Sequence, residues 1–382
     1  MAIDNLGSRM ERIQAAIRLK RSDRVPVSLI MDYKFPMRYK GFTQGDYFRD
    51  MRLGEQTTRE VFDELGGWDM AMSGGMTTQA RNILEAPMVA KIPGRDIGED
   101  DVIQLLEQEI FKKEDYDKII AMGWKRFMVD FLPNFRGWNV AEYHERTAKS
   151  AEKDIMTFKA NIAYWQGKGI PIIGGAYAYS PLMMLSCSRS MLEFTKDVYQ
   201  DPDRVEAAMD AMVEDLIEVS IRSVKQLDIG PLTGIPVVMI VLERGGCFYY
   251  PLTVFERFEL PYLKRMVEAY VAEGITPVMH FDQDWSQNLP YLKELPKGKC
   301  IAQFDNATDI FEAKEILRDH VCIMGDVPAA LLTLGQPGEV TDYCKRLIDE
   351  IGDGGGFILG VACSVPVDAK FENLKAMIDA VK

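Results

Sequence analysis

The sequence is short of histidine, of positive charge and of long apolar runs, and each shortage excludes something. Its 382 residues carry 45 Lys and Arg against 58 Asp and Glu, a formal net charge of −13. Phosphate backbones bind to basic faces, so this balance argues against a nucleic-acid partner. No apolar run reaches membrane-spanning length, and the opening MAIDNLGSRMERIQAAI lacks the apolar core of a signal peptide, so no membrane partner is expected. The cysteines, at 187, 247, 300, 322, 344 and 363, never form a CxxC pair. That suits reduced, cytoplasmic thiols rather than a disulfide framework. A dinucleotide fingerprint is missing too: GDGGGF at 352–357 precedes a strand pattern, whereas such a fingerprint follows a strand and opens a helix. No internal repeat, low-complexity tract or charge run marks a linker.

With only His144, His280 and His320 in the chain, each position carries weight. His280 lies in the stretch around which the rest is organised, ITPVMHFDQDW at 275–285. Its apolar start predicts a buried strand, and its end delivers His280, Asp282 and Asp284. Side chains two apart on an extended segment point the same way, so His280 and Asp282 can converge on one point.

The chain in order predicts a helix at 7–20, a strand over Val25 to Met31, a loop with a short helix at 33–54, a helix at 55–65 and a weak strand in GGWDMAMSGG. Residues 76–150 show no simple period. They contain a hairpin, an acidic helix (IGEDDVIQLLEQEIF) and the aromatic segment MGWKRFMVDFLPNFRGW, and are taken as an insertion, a candidate lid or substrate wall. From 151 onward helices and apolar strands alternate: GIPIIGGAYAYSP, PVVMIVL, the 276–280 strand, CIAQFD, HVCIMGD and GGFILGVAC, with helices at 151–168, 190–199, 202–227 and 253–273 and further helices after the later strands. Eight strands in βα alternation call for a parallel sheet with right-handed crossovers. A doubly wound open sheet competes with a closed barrel. The count of eight and the placing of polar residues favour an α/β (β/α)8 TIM barrel, one domain over 1–382 with an N-terminal extension and the insertion at about 76–150.

In such a barrel, function sits at the C-terminal strand ends. Those ends carry Asp32, Gly74 and Gly75, Tyr177 and Tyr179, Glu243, His280 with Asp282, Asp305, Gly325 with Asp326, and Cys363. Asp305 and Asp326 precede helical patterns and are expected as N-caps. His280, Asp282 and Cys363 make a candidate metal site, because zinc accepts imidazole, carboxylate and thiolate and a catalytic zinc takes three protein ligands. The alternative is a hydrogen-bonded core histidine. Glu243 is a candidate fourth ligand or acid. Tyr177, Tyr179, Phe248, Tyr249 and Trp285 follow strand ends and are candidates for holding an aromatic ring, or else for rim packing. His320 precedes a strand and is expected at the opposite face, and the other cysteines are expected to be structural.

The stretches DNATDIFEAKEIL, IMGDVPAALLTLGQPGEV and GGFILGVACSVPVDAKFENLKAM, with ERIQAAIRLKRSDRVPV near the start, resemble the uroporphyrinogen decarboxylase superfamily. The resemblance covers most of the chain outside 76–150 and implies a (β/α)8 barrel. One branch decarboxylates uroporphyrinogen without a cofactor and carries an RxAGR motif after its first strand; this chain has MDYKFPMRYKG there. The other branch comprises zinc methyltransferases that work with corrinoid proteins and carry an HxC motif and a later cysteine. His280 and Cys363 match that pattern, and Asp282 stands where the middle cysteine would be. A carboxylate in place of a thiolate makes zinc a harder acid, better suited to oxygen than to a thiol. The resemblance therefore implies an O-demethylase type of methyltransferase, moving methyl from an aryl methyl ether to the cobalt of a corrinoid (cobalamin) carried by a partner protein. A metal-free lyase and a methylcobalamin:thiol methyltransferase are the alternatives.

Overall fold

The computed structural model describes residues 4–72, 87–229 and 234–382. Eight parallel strands close into a barrel: β1 (Val27–Leu29), β2 (Met70–Met72), β5 (Ile172–Tyr179), β6 (Gly234–Leu242), β7 (Thr276–Phe281), β8 (Ile301–Phe304), β9 (Cys322–Val327) and β10 (Phe357–Val361). Neighbours pair in chain order, and β10 pairs with β1 to shut the ring. This is the (β/α)8 barrel that the alternation of strands and helices predicts. A separate antiparallel hairpin, β3 (Val89–Lys91) with β4 (Gln104–Leu106), lies between β2 and β5.

Period-two alternation sorts the strand residues into two apolar layers. Ile173, Ile235, Val237, Met239, Val278, Ile301, Met324 and Ile358 form one cluster inside the barrel. Ile172, Val238, Ile240, Met279, Phe281, Ala302, Phe304 and Leu359 belong to the layer under the helices. Each large apolar side chain buried this way contributes about 1.5–3 kcal/mol. The N-terminal helix Leu6–Ile17 plugs the base: Met10, Ile13, Ala16 and Ile17 pack into the inner cluster. Arg12 and Arg24 clamp it there on the buried Asp69 at the start of β2, which also accepts from the Val27 amide at 2.9 Å. His320 sits on the same side, its Nε2 2.8 Å from the Leu295 carbonyl.

Several local expectations are corrected. The acidic stretch at 97–111 is not a helix: Gln104–Leu106 pairs as β4, and Asp101 closes a turn by accepting from the Gly98 amide at 2.8 Å. The aromatic segment after it is the helix Trp124–Arg136, and the helix expected at 151–168 begins at Val140, capped by Asn139. The 33–54 loop holds two short helices, Lys34–Tyr39 and Gln44–Arg49, and the next helix starts at Met51. The 253–273 helix is two, Leu252–Phe258 and Leu260–Ala272, because Pro261 has no N–H to continue the first. Gly74 and Gly75 lie outside the described residues. Among the described residues no helix is long and apolar enough to cross a membrane.

Candidate metal centre

Inward positions near the C-terminal ends of the strands form the barrel mouth. On β7, Val278 faces the interior, so His280 and then Asp282 face it too. Cys363 arrives from across the mouth, two residues after β10. His280 Nε2 lies 3.3 Å from Asp282 Oδ1 and 3.5 Å from Cys363 Sγ. One donor atom from each of the three falls within 4.8 Å of the others. Ligands about 2.0–2.3 Å from a tetrahedral zinc stand about 3.3–3.8 Å apart; both separations from His280 Nε2 match this, and the Asp282–Cys363 pair falls within 4.8 Å. His280 is buried whereas Cys363 is exposed, which leaves one side of the group open to the mouth. Burial works against a charged imidazole here, but Asp282 and Cys363 beside Nε2 prevail and hold His280 well above the usual imidazole range. The point between them favours a positive charge.

The β8 segment holds this geometry. Gln303, fully buried and paired in register with His280, places Oε1 3.0 Å from His280 Nδ1. Asp305 is not a helix cap. It accepts from the Gln283 amide at 2.8 Å and from Ala307 at 2.9 Å, while Asp309 caps the following helix. Thr308 accepts from the Trp285 amide at 2.9 Å and donates to the Gln283 carbonyl at 3.1 Å. These bonds pin the turn after Asp282, where Gln283 has a φ of +69°. Asp326 is no cap either: it accepts from the Tyr343 hydroxyl at 2.8 Å and from Asn306 at 3.2 Å. Asp284 points away, tied to Ser286.

Glu243 is not one of the three clustered donors. Its side chain is accessible in the mouth but has protein on most sides. Partial desolvation, then the Asp282 carboxylate, raise its pKa, against His280 and Arg244. Among the aromatic candidates, Tyr177 packs against the inner cluster. Burial, then Asp32 and Cys363, push its phenol up to about 12. Tyr179 is half-buried against the outer layer. Phe248 and Tyr249 are exposed on the segment after β6, edge to face at 4.9 Å. Trp285 has no face to offer a ligand. It is 1% exposed, packs on Phe281, and donates its indole N–H to the Asp282 carbonyl at 2.8 Å. A Cβ on Gly246 would come within 2.7 Å of that indole, so glycine there lets the β6 loop lie flat on the ring. Sequence reasoning missed Gln303, Thr308 and this role of Trp285. The available signal was a polar residue, Gln303, at the inward phase of CIAQFD.

Fold and site together define a parallel (β/α)8 barrel with a nitrogen, an oxygen and a sulfur donor gathered at its strand ends. The chain belongs to the uroporphyrinogen decarboxylase (URO-D) family, whose sequence profile matches residues 160–382. All of His280, Asp282, Gln303 and Cys363 lie in that region. Uroporphyrinogen decarboxylase of Hahella chejuensis is 25% identical over 225 residues, 56% of this chain and 58% of that one. Methylcobamide:CoM methyltransferase MtbA of Methanosarcina acetivorans is 26% identical over 138 residues, 36% of this chain and 37% of that one. The matches thus span 58% or less of these two relatives' lengths. A methyltransferase from Methanosarcina mazei shares the fold, with a TM-score of 0.69, 97% of each chain covered and 16% identity.

Proposed function

We propose that this chain is a zinc-dependent methyltransferase that takes methyl from an aryl methyl ether and delivers it to the cobalt of a corrinoid protein. The observation that carries this reading is the convergence of His280, Asp282 and Cys363 within 4.8 Å at the barrel mouth. In the reaction the methyl carbon–oxygen bond breaks, its electron pair stays on the oxygen, and the methyl passes to reduced cobalt. Zinc, when held there, supplies Lewis acidity to stabilise the charge that develops on that oxygen. His280, Asp282 and Cys363 would hold the metal, in a group open to the mouth on the Cys363 side. Glu243, its pKa raised by desolvation and then by Asp282, would give a proton to the departing oxygen. Tyr177, Phe248 and Tyr249 offer ring faces and edges to a flat substrate.

A metal-free lyase reading has the decarboxylase relatives in its favour. Against it stands MDYKFPMRYKG. Its arginine, Arg38, lies 3.6 Å from Asp100 and from Asp368, already facing carboxylates. A thiol-methylating reading has the MtbA match in its favour and Asp282 against it.

The test is reconstitution. The isolated chain should be inert toward methoxyaromatics. Adding a reduced corrinoid protein should yield methylated cobalt, followed by visible absorption, and phenol in equal amounts. Phenol formed without a corrinoid protein would overturn the reading, and so would absence of methyl transfer from a broad methoxyaromatic panel with the zinc-loaded chain and its cognate partner. Substrate choice is tested by Asp282→Cys, which should keep zinc yet lose at least about tenfold in ether cleavage, on the order of 1.4 kcal/mol of barrier. Undiminished cleavage by that variant would show that ligand hardness does not select the substrate.

A further inference from the structure

We infer that Gln303 is a positioning residue that sets the tautomer of His280 and thereby the metal affinity of the triad. The inference rests on the metal reading above but concerns a residue outside the donor set. Gln303 is fully buried on β8, in register with His280, with Oε1 3.0 Å from Nδ1. An amide oxygen can only accept, so Nδ1 must carry the proton. Nε2 then faces Asp282 and Cys363, 3.3 and 3.5 Å away, and its lone pair serves a cation once that cation displaces the Nε2 proton. This is the tautomer a cation between the three groups requires.

Gln303 Nε2 is buried without a hydrogen-bond partner among the described residues. Either orientation of the amide leaves that end unmet, so it is the Oε1 contact with Nδ1 that fixes the side chain's role. If the amide turned over, its N–H would meet Nδ1, the histidine proton would move to Nε2, and the lone pair facing Asp282 and Cys363 would be lost. Nothing else on β8 can substitute: Ala302 and Phe304 face the outer layer, and Ile301 is apolar. The same strand and its loop fix the second donor, because Asp305 and Thr308 pin the turn that follows Asp282. Both candidate ligands of β7 are therefore oriented from β8.

The test measures zinc affinity by competition with a chromophoric chelator, together with the 15N spectrum of His280, in wild type, Gln303→Leu and Gln303→Glu. Zinc-loaded wild type should show a protonated Nδ1 and a metal-bound Nε2. Gln303→Leu should bind zinc about 10–100-fold more weakly, the cost typical of losing such a support. Gln303→Glu retains an acceptor and should stay within about tenfold of wild type. Folded Gln303→Leu with wild-type affinity would overturn the inference. If that variant does not fold, the wild-type spectrum decides alone, and zinc on Nδ1 with the proton on Nε2 would overturn it. Wild type that binds no zinc would instead defeat the metal reading itself.

Discussion

Alanine at His280 is expected to strip the chain of zinc and to lower methyl transfer by about 10³-fold or more. The imidazole is the buried member of the triad, and the other two donors are a partly exposed carboxylate and an exposed thiol. Without Nε2 they cannot enclose an ion, because two donors leave half of a tetrahedral shell to water. Cys363→Ala should act in the same direction. Zinc per chain, measured on the purified variants, checks both. Stoichiometric zinc persisting in His280→Ala and in Cys363→Ala would mean that the ion, if any, sits elsewhere.

The second large effect concerns stability and pH. Glu259 is fully buried at the junction of the helices Leu252–Phe258 and Leu260–Ala272. It accepts from the Ser180 hydroxyl at 2.9 Å through Oε2, and its Oε1 has no partner among the described residues. Burial pushes its pKa up to about 8, with the Ser180 bond acting against the shift. The folded chain therefore keeps the proton while an unfolded carboxyl, near 4.5, has lost it. The neutral acid contributes its full share of stability below about pH 4.5, and that share falls by about 1.4 kcal/mol per pH unit up to about pH 8. Glu259→Gln removes the ionisation and keeps an acceptor for Ser180. Its advantage over wild type in unfolding free energy, measured by denaturant titration, should grow by several kcal/mol (about 1.4 per pH unit) between pH 5 and pH 8. A constant difference across that range would show that Glu259 does not titrate as its burial implies.

How much of this was legible in the sequence depends on the element. From β5 onward, apolar strands separated by well-patterned helices gave both the barrel and its phase. HxD at the end of β7 then followed from period two alone. The 97–111 stretch misled because its acidic and apolar residues recur at helical spacing, yet Leu105 is 61% exposed on a two-stranded hairpin. Trp285 was misassigned because proximity to a strand end does not fix direction. The turn pinned by Thr308 sends its ring into the core instead of the mouth. Asp305 and Asp326 looked like caps because they precede helices, but each is spent on a neighbouring strand's loop or helix. Gln303 was missed because its partner, His280, is 23 residues away and only the β7–β8 register brings them together.

X-ray absorption at the zinc edge of the metal-loaded protein tests the central claim most directly. We expect about one zinc per chain with a mixed first shell: one sulfur at about 2.3 Å, and nitrogen and oxygen scatterers at about 2.0–2.2 Å. The sulfur contribution should vanish in Cys363→Ser. A shell of nitrogen and oxygen alone in the wild-type protein, or a chain that takes up no zinc, would contradict a centre built from His280, Asp282 and Cys363.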